Sequence, residues 1–270
     1  VGRDDELALL RTALAEAGKA RGGAVFVVGE PGFGKTRLVR ELARTATAAV
    51  VFGRATSPSV QFRPLAEALF SALRHVGVPD DPELAPYRPA LSRLVPEWRV
   101  RRVPGVDDSL VVLAEGVLRL LRRLGQDTGC LVVIDDLHDA DPDTLEVVDY
   151  LVDNLAGEPV LFVGTVRPDP GPAAELVRAA RRRGVASVVE LSRLDDDEVR
   201  LMVARWLNVR SMSLPDSVVD RVLAAGEGNP FYVEELLATT REGHLNGLAP
   251  AGVLASVVVP LLVQGPAGVA

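Results

Sequence analysis

Cysteine is nearly missing from this chain. The single Cys130 excludes an internal disulfide and suits a reducing compartment. Because it opens an apolar run, it reads as core and not as a reactive thiol. Lysine is almost as scarce: of thirty basic residues only Lys19 and Lys35 are lysine, so a chain built on arginine has kept an ammonium where a compact charge is wanted. No apolar stretch is long enough to cross a bilayer, since the most apolar one, Val253 to Val263, has eleven residues with Pro260 inside it. A signal peptide is also missing, because Arg3, Asp4, Asp5 and Glu6 stand where an apolar segment belongs. These absences predict a cytoplasmic protein without membrane contact. A net charge of −7 and a pI near 5.1 argue against this segment gripping nucleic acid by itself. The chain begins at Val1 and not Met, which predicts a piece of something longer.

Glycine is where it counts. Gly29-Glu-Pro-Gly-Phe-Gly-Lys-Thr36 follows the apolar run Ala24 to Val28 and matches the P-loop pattern G-x-x-x-x-G-K-[ST] in full. Its three glycines let the backbone turn tightly and point N–H groups into a concavity that holds phosphate. The helix starting near Lys35 adds unpaired N–H groups and the positive end of its dipole. The pattern assigns Lys35 to the β- and γ-phosphates and the Thr36 hydroxyl to Mg²⁺. Gly29, Glu30, Pro31, Gly32, Phe33, Gly34, Lys35, Thr36 and Arg37 are the expected contacts of the bound nucleotide.

The rest of the chain alternates. An N-terminal helix carries Leu7, Leu10, Ala13, Leu14 and Ala17 on one face and ends at the Arg-Gly-Gly of 21–23. Apolar strands are predicted at Ala24 to Val28, Ala49 to Arg54, Cys130 to Asp135, Pro159 to Val166 and Ala186 to Leu191. Helices are predicted from Lys35, over Phe62 to His75, from Asp107 to about Gly125, over Asp141 to Leu155 and over Ala173 to Arg183. From Pro79 to Pro104 six prolines forbid a long helix and leave short pieces or a mobile flap. Continuous apolar strands alternating with helices predict a parallel sheet covered on both faces, with ligand at the C-terminal strand ends. After about Arg193 the strands stop, and Asp195 to Leu207, Pro215 to Ala225 and Phe231 to Arg241 read as three helices of a small lid.

The strand Cys130 to Asp135 delivers Asp135 and Asp136 to the ligand edge, the form of a Walker B element. Asp135 is expected to hold the magnesium shell, and Asp136 to orient or deprotonate the attacking water. The next strand ends Gly164-Thr-Val-Arg167. If it lies between the P-loop strand and the Asp strand, Arg167 can read the γ-phosphate by charge-assisted bonding, with Thr165 a weaker candidate. His138 is either a site residue or a structural one. The arginines 119, 122 and 123, and those at 178 and 181–183, read as solvated helix faces. No recognition-type helix-turn-helix is evident.

Val1-Gly-Arg-Asp-Asp-Glu-Leu7, the P-loop, Leu137-His-Asp-Ala-Asp141, Gly164-Thr-Val-Arg167 and Gly228-Asn-Pro-Phe-Tyr-Val-Glu-Glu-Leu236 follow one another in order. Over about residues 1 to 240 the chain resembles the STAND branch of AAA-related P-loop ATPases, in the version found in large LuxR-type bacterial transcriptional regulators. The resemblance implies an ATP-operated switch. It places Gly2 and Arg3 near adenine and ribose, and Pro230 of the lid on the base. It also implies a lid that swings when ADP is exchanged for ATP and uncovers an oligomerisation surface. Two departures stand out: Asp139 replaces a tryptophan usual after the histidine, and beyond Leu237 alignment is lost. There is no lid arginine in a Gly-x-Arg setting, which favours a slow switch over a fast motor.

The fold expected is therefore α/β: a P-loop NTPase with a five-stranded parallel sheet flanked by helices, followed by a small helical lid. The boundaries expected are 1–192 for the nucleotide-binding domain, 193–243 for the lid, and 244–270 for the start of a following segment. The function expected is slow ATP hydrolysis by Lys35, Asp136 and Arg167, with Mg²⁺ held by Thr36 and Asp135. The nucleotide state is expected to control self-association or an attached DNA-binding output domain. The alternatives are a fast AAA-type machine such as an origin-recognition-like remodeller, and a scaffold that binds nucleotide without cleaving it.

Overall fold

The computed structural model describes residues 2–77, 79–98, 109–207, 211 and 216–246. The start of the predicted helix at Asp107, Pro104, Pro215, and the chain from 247 to 270 with its apolar stretch lie outside the described residues.

The chain divides into two compact units. One comprises Asp5–Gly29 and Lys35–Glu190; the other comprises Val1–Asp4, Glu30–Gly34 and Leu191–Ala270. The sequence assigns residues 1–4 and 30–34 to the α/β part, whereas in the structure they group with the helical one.

In the α/β unit, α1 (Asp4–Ala17) buries Leu7, Leu10 and Ala17. Then come β1 (Gly23–Val28), α2 (Lys35–Thr45), β2 (Ala49–Arg54) and α3 (Arg63–Val76). The proline-rich segment forms short pieces, with 3-10 turns at Pro82–Tyr87 and Pro96–Trp98 flanking a single turn, α4 (Arg88–Leu91). Regular structure resumes with α5 (Leu110–Leu124), whose cap Ser109 accepts from the Val112 N–H. It continues through β3 (Cys130–Asp135), α6 (Pro142–Asn154), β4 (Val160–Val166), α7 (Pro172–Arg183) and β5 (Ala186–Glu190).

The five strands are parallel in the order β2-β3-β4-β1-β5. Every residue of β3 and β4 is buried. That is what continuous apolar runs in a sheet covered on both faces require. Phe26 and Phe162 meet edge-to-face with centroids 5.9 Å apart at the centre of this core. Cys130 lies in it too, and burial pushes its thiol up to about 12, so it is inert. Close packing of α3 on β2 depends on Gly53, where a Cβ would lie 2.0 Å from the Pro64 carbonyl oxygen.

Register fixes the ligand edge. Arg54 is paired with Asp135, Ile134 with Gly164, and Val28 with Val166, so β1, β2, β3 and β4 end within one residue of one another. The Gly29 N–H continues the ladder to the Val166 carbonyl at 3.3 Å.

The other unit contains α8 (Asp196–Leu207), α9 (Asp216–Gly226) and α10 (Pro230–Asn246). They share a small core of Leu194, Val199, Met202, Val203, Ala204, Val219, Val222, Val233 and Leu237. Asp195 and Glu198 cap α8 reciprocally: the Glu198 N–H donates to Asp195 Oδ1 at 2.8 Å, and the Asp195 N–H to Glu198 Oε2 at 2.9 Å.

Candidate active site

Four strand ends of the α/β unit bring together residues that lie far apart in the sequence. Asp135 is the last residue of β3 and is fully buried. Its Oδ1 accepts from the Thr36 hydroxyl at 3.1 Å and from the Thr165 hydroxyl at 2.7 Å. Its Oδ2 is buried and has no hydrogen-bond partner among the described residues; the Arg54 Nε lies 3.9 Å away. A buried carboxylate oxygen without a hydrogen bond is costly. A divalent cation is the natural complement, and Mg²⁺ needs only one or two protein oxygens when phosphates and waters supply the rest. Thr36 and Asp135 fit that description. Among the described residues no cluster of three or more His, Cys, Asp or Glu could hold a metal by itself.

Lys35 opens α2 and is only 6% exposed. Its Nζ donates to the Gly29 carbonyl at 2.6 Å, bending back across the loop's two ends. The sequence places this ammonium facing ligand; the structure folds it onto the loop's own backbone.

Asp136 has φ +56°, the left-handed region that Asp tolerates better than most residues. The reversal turns its carboxylate to Arg54, which ends β2 and donates to the Asp136 Oδ2 from Nε at 2.9 Å and from a terminal nitrogen at 2.7 Å. This pair raises the guanidinium's pKa. The Asp136 N–H donates to the Thr165 hydroxyl at 2.8 Å. Thr165 is therefore a strut between the two aspartates. Both its hydroxyl functions are taken, which does not suit the weaker γ-phosphate role that the sequence allows it.

Sheet order places β4 between β1 and β3, the arrangement on which the expectation for Arg167 rests. Arg167, just past the end of β4, is half-buried. It acts on His138, whose two ring nitrogens are buried without hydrogen-bond partners among the described residues. Burial lowers the His138 pKa; Asp139 opposes this, and the Arg167 and Lys35 charges add to it. Asp141, where the sequence predicts a helix to begin, is structural. It caps α6 by accepting the Thr144 N–H at 3.0 Å, and it takes the Phe62 N–H at 3.1 Å.

The tip of the P-loop, Glu30–Gly34, belongs to the helical unit. Gly32 and Gly34 have φ of +84° and +91°. Phe33 is buried, and its N–H closes a turn on the Glu30 carbonyl at 3.3 Å. Arg3 donates to the Ser192 carbonyl, and Gly2, at φ +68°, lies against the Glu198 side chain. Pro230 is the first residue of α10 and is half-buried. Arg37 is exposed on α2.

Residues 1–163 match the family model described as AAA ATPase domain. The chain belongs to the AAA ATPase domain family. An uncharacterised protein of Rhizobium meliloti (strain 1021) is 26% identical, over 87% of this AAA ATPase domain chain and 24% of that protein. The chain thus spans about a quarter of the length of this curated relative. Among solved structures, Cdc6p from Pyrobaculum aerophilum is similar with a TM-score of 0.56 at 18% identity, covering 91% of this chain and 62% of that one. A STAND protein with a tetratricopeptide repeat sensor from Pyrococcus horikoshii gives 0.53 at 17% identity, over 97% and 32%. Drosophila ORC bound to DNA gives 0.55 at 15% identity, over 97% and 67%. At such identities the likeness is one of fold, a helix-flanked five-stranded parallel sheet of the P-loop NTPase kind.

One residue of the candidate site has no counterpart in the sequence motifs. Arg54 is 82 positions from Asp136, and only the pairing of β2 with β3 brings the two together. A charged residue ending an apolar strand was the available signal.

Proposed function

We propose that this AAA ATPase domain is an ATP-binding, slowly hydrolysing switch within a larger, transcriptional regulator. The observation that carries the reading is the Thr36–Asp135 pair at 3.1 Å, with the second Asp135 oxygen buried and without a hydrogen bond among the described residues. Mg²⁺, when bound there, neutralises phosphate charge. Lys35 leaves the Gly29 carbonyl for the β- and γ-phosphates, and the loop's N–H groups with the α2 N-terminus hold the remaining oxygens. Gly2, Arg3 and Pro230 are the residues proposed for adenine and ribose. Arg167 is proposed to contact the γ-phosphate.

Slow turnover follows from Arg54. An Asp136 oxygen that already accepts two guanidinium N–H groups is a poor acceptor for a water's proton, so cleavage waits on Arg54 giving way. The regulatory setting is supported by the order of motifs up to Gly228-Asn-Pro and by the STAND protein among the structural neighbours. A nucleotide-dependent homo-oligomer, a DNA-binding output domain elsewhere in the protein and a cytoplasmic location complete the proposal. Among the described residues no helix is long and apolar enough to cross a membrane.

Single-turnover hydrolysis of MgATP tests this. The rate expected is well under about 1 s⁻¹, the low end of ordinary enzyme turnover. Asp136→Asn should abolish it, and Arg54→Ala should raise it. A fast wild-type rate indicates a machine, and binding without cleavage a scaffold.

A further inference from the structure

The turn that leads into α10 touches the P-loop tip within the helical unit. Asn229 Oδ1 accepts the Phe231 N–H at 3.0 Å, as a helix cap does. The same side chain directs its Nδ2 to the Pro31 carbonyl at 3.2 Å. The Phe231 N–H also reaches the Gly32 carbonyl at 3.3 Å. Two consecutive loop carbonyls are thus held by one three-residue segment.

A trans peptide carries its C=O and N–H on opposite sides. Fixing the Pro31 carbonyl toward Asn229 therefore fixes the Gly32 N–H away from it. Contact this close demands glycine, since a Cβ on Gly32 would lie 2.6 Å from Asn229 Oδ1 and 2.9 Å from the Phe231 Cβ. The turn is itself anchored: the Leu194 N–H donates to the Gly228 carbonyl at 2.7 Å, and the Asn229 N–H to the Gly226 carbonyl at 2.8 Å. Capping alone uses only Oδ1, which Asp or Ser supplies equally well. An amide carries its acceptor and its donor on separate atoms, so one side chain can cap the helix through Oδ1 while Nδ2 reaches the loop; a hydroxyl has both functions on one short atom.

We propose that Asn229 is a positioning residue of the P-loop, its amide holding Pro31 so that the Gly32 N–H is oriented for an incoming phosphate. Because the same residue starts α10, phosphate binding and the α10 N-terminus are coupled, and the coupling runs equally in both directions. The proposal rests on the nucleotide reading of the P-loop.

Asn229→Asp keeps a capping acceptor and deletes the donor; Asn229→Ser keeps the acceptor without added charge, and its one O–H sits on the capping oxygen itself, short of the Nδ2 position that reaches Pro31. The measurements are thermal melting, MgADP affinity with a fluorescent analogue, and amide hydrogen exchange in residues 226–234 with and without MgADP. Both variants should melt close to wild type and bind MgADP about tenfold more weakly, the worth of one well-placed hydrogen bond. In wild type, MgADP should slow exchange at residues 226–234; in the variants this response should disappear. Variants that bind and respond like wild type overturn the proposal, as does failure of both to fold, which would make the Asn229 amide a requirement of the fold and not a positioning group. If wild type itself ignores MgADP, the nucleotide reading fails first, and the two failures are told apart.

Discussion

Residue by residue, the site is a set of short polar side chains that compete for few partners. Asp135 is satisfied on one oxygen by two hydroxyls and has no hydrogen bond on the other among the described residues. Lys35 and Asp136 are both occupied, by the Gly29 carbonyl and by Arg54. The meeting of Thr36 with Asp135 could be expected from sequence because a P-loop and an apolar strand ending in carboxylates are local patterns. The Arg54 clamp and the Thr165 strut were not, since each depends on which strands lie side by side. Arg167 yields a prediction at this scale. Arg167→Ala should keep ADP affinity and lose any preference for ATP, because a guanidinium aimed at the γ-phosphate contributes nothing to a diphosphate. Equal losses for both nucleotides, measured by calorimetry, would reject the sensor role.

At the scale of elements, periodicity carried the reading. All five strands fall where continuous apolar runs place them, within a residue at each end. Helix ends were harder: α10, expected over Phe231 to Arg241, runs Pro230–Asn246, because Asn229 caps it one residue earlier and the helix continues through Gly243. The proline-dense stretch broke into turns, as fixed φ and missing N–H groups require. What periodicity does not convey is close approach. Gly53→Ala should destabilise the chain by roughly 2 kcal/mol or more, since its Cβ must displace α3 from β2. A urea midpoint unchanged from wild type would show that α3 can shift without cost.

For the whole molecule, strand order sets which groups can meet in the α/β unit: with β4 between β1 and β3, Gly29, Asp135 and Arg167 sit at the ends of neighbouring strands. The grouping of Glu30–Gly34 with α8 to α10 was not legible in the sequence. It depends on backbone contacts through Pro31 and Gly32, which leave no periodic trace. The central claim is that this chain binds a nucleoside triphosphate through Lys35 and its loop. Calorimetric titration of MgATP into wild type and Lys35→Ala tests it most directly. Saturable binding by wild type, weakened roughly 10- to 100-fold in a variant that still melts cooperatively, is the result expected for removal of a charged hydrogen-bonding group. Equal affinity for the two proteins, or no binding by wild type, would contradict it.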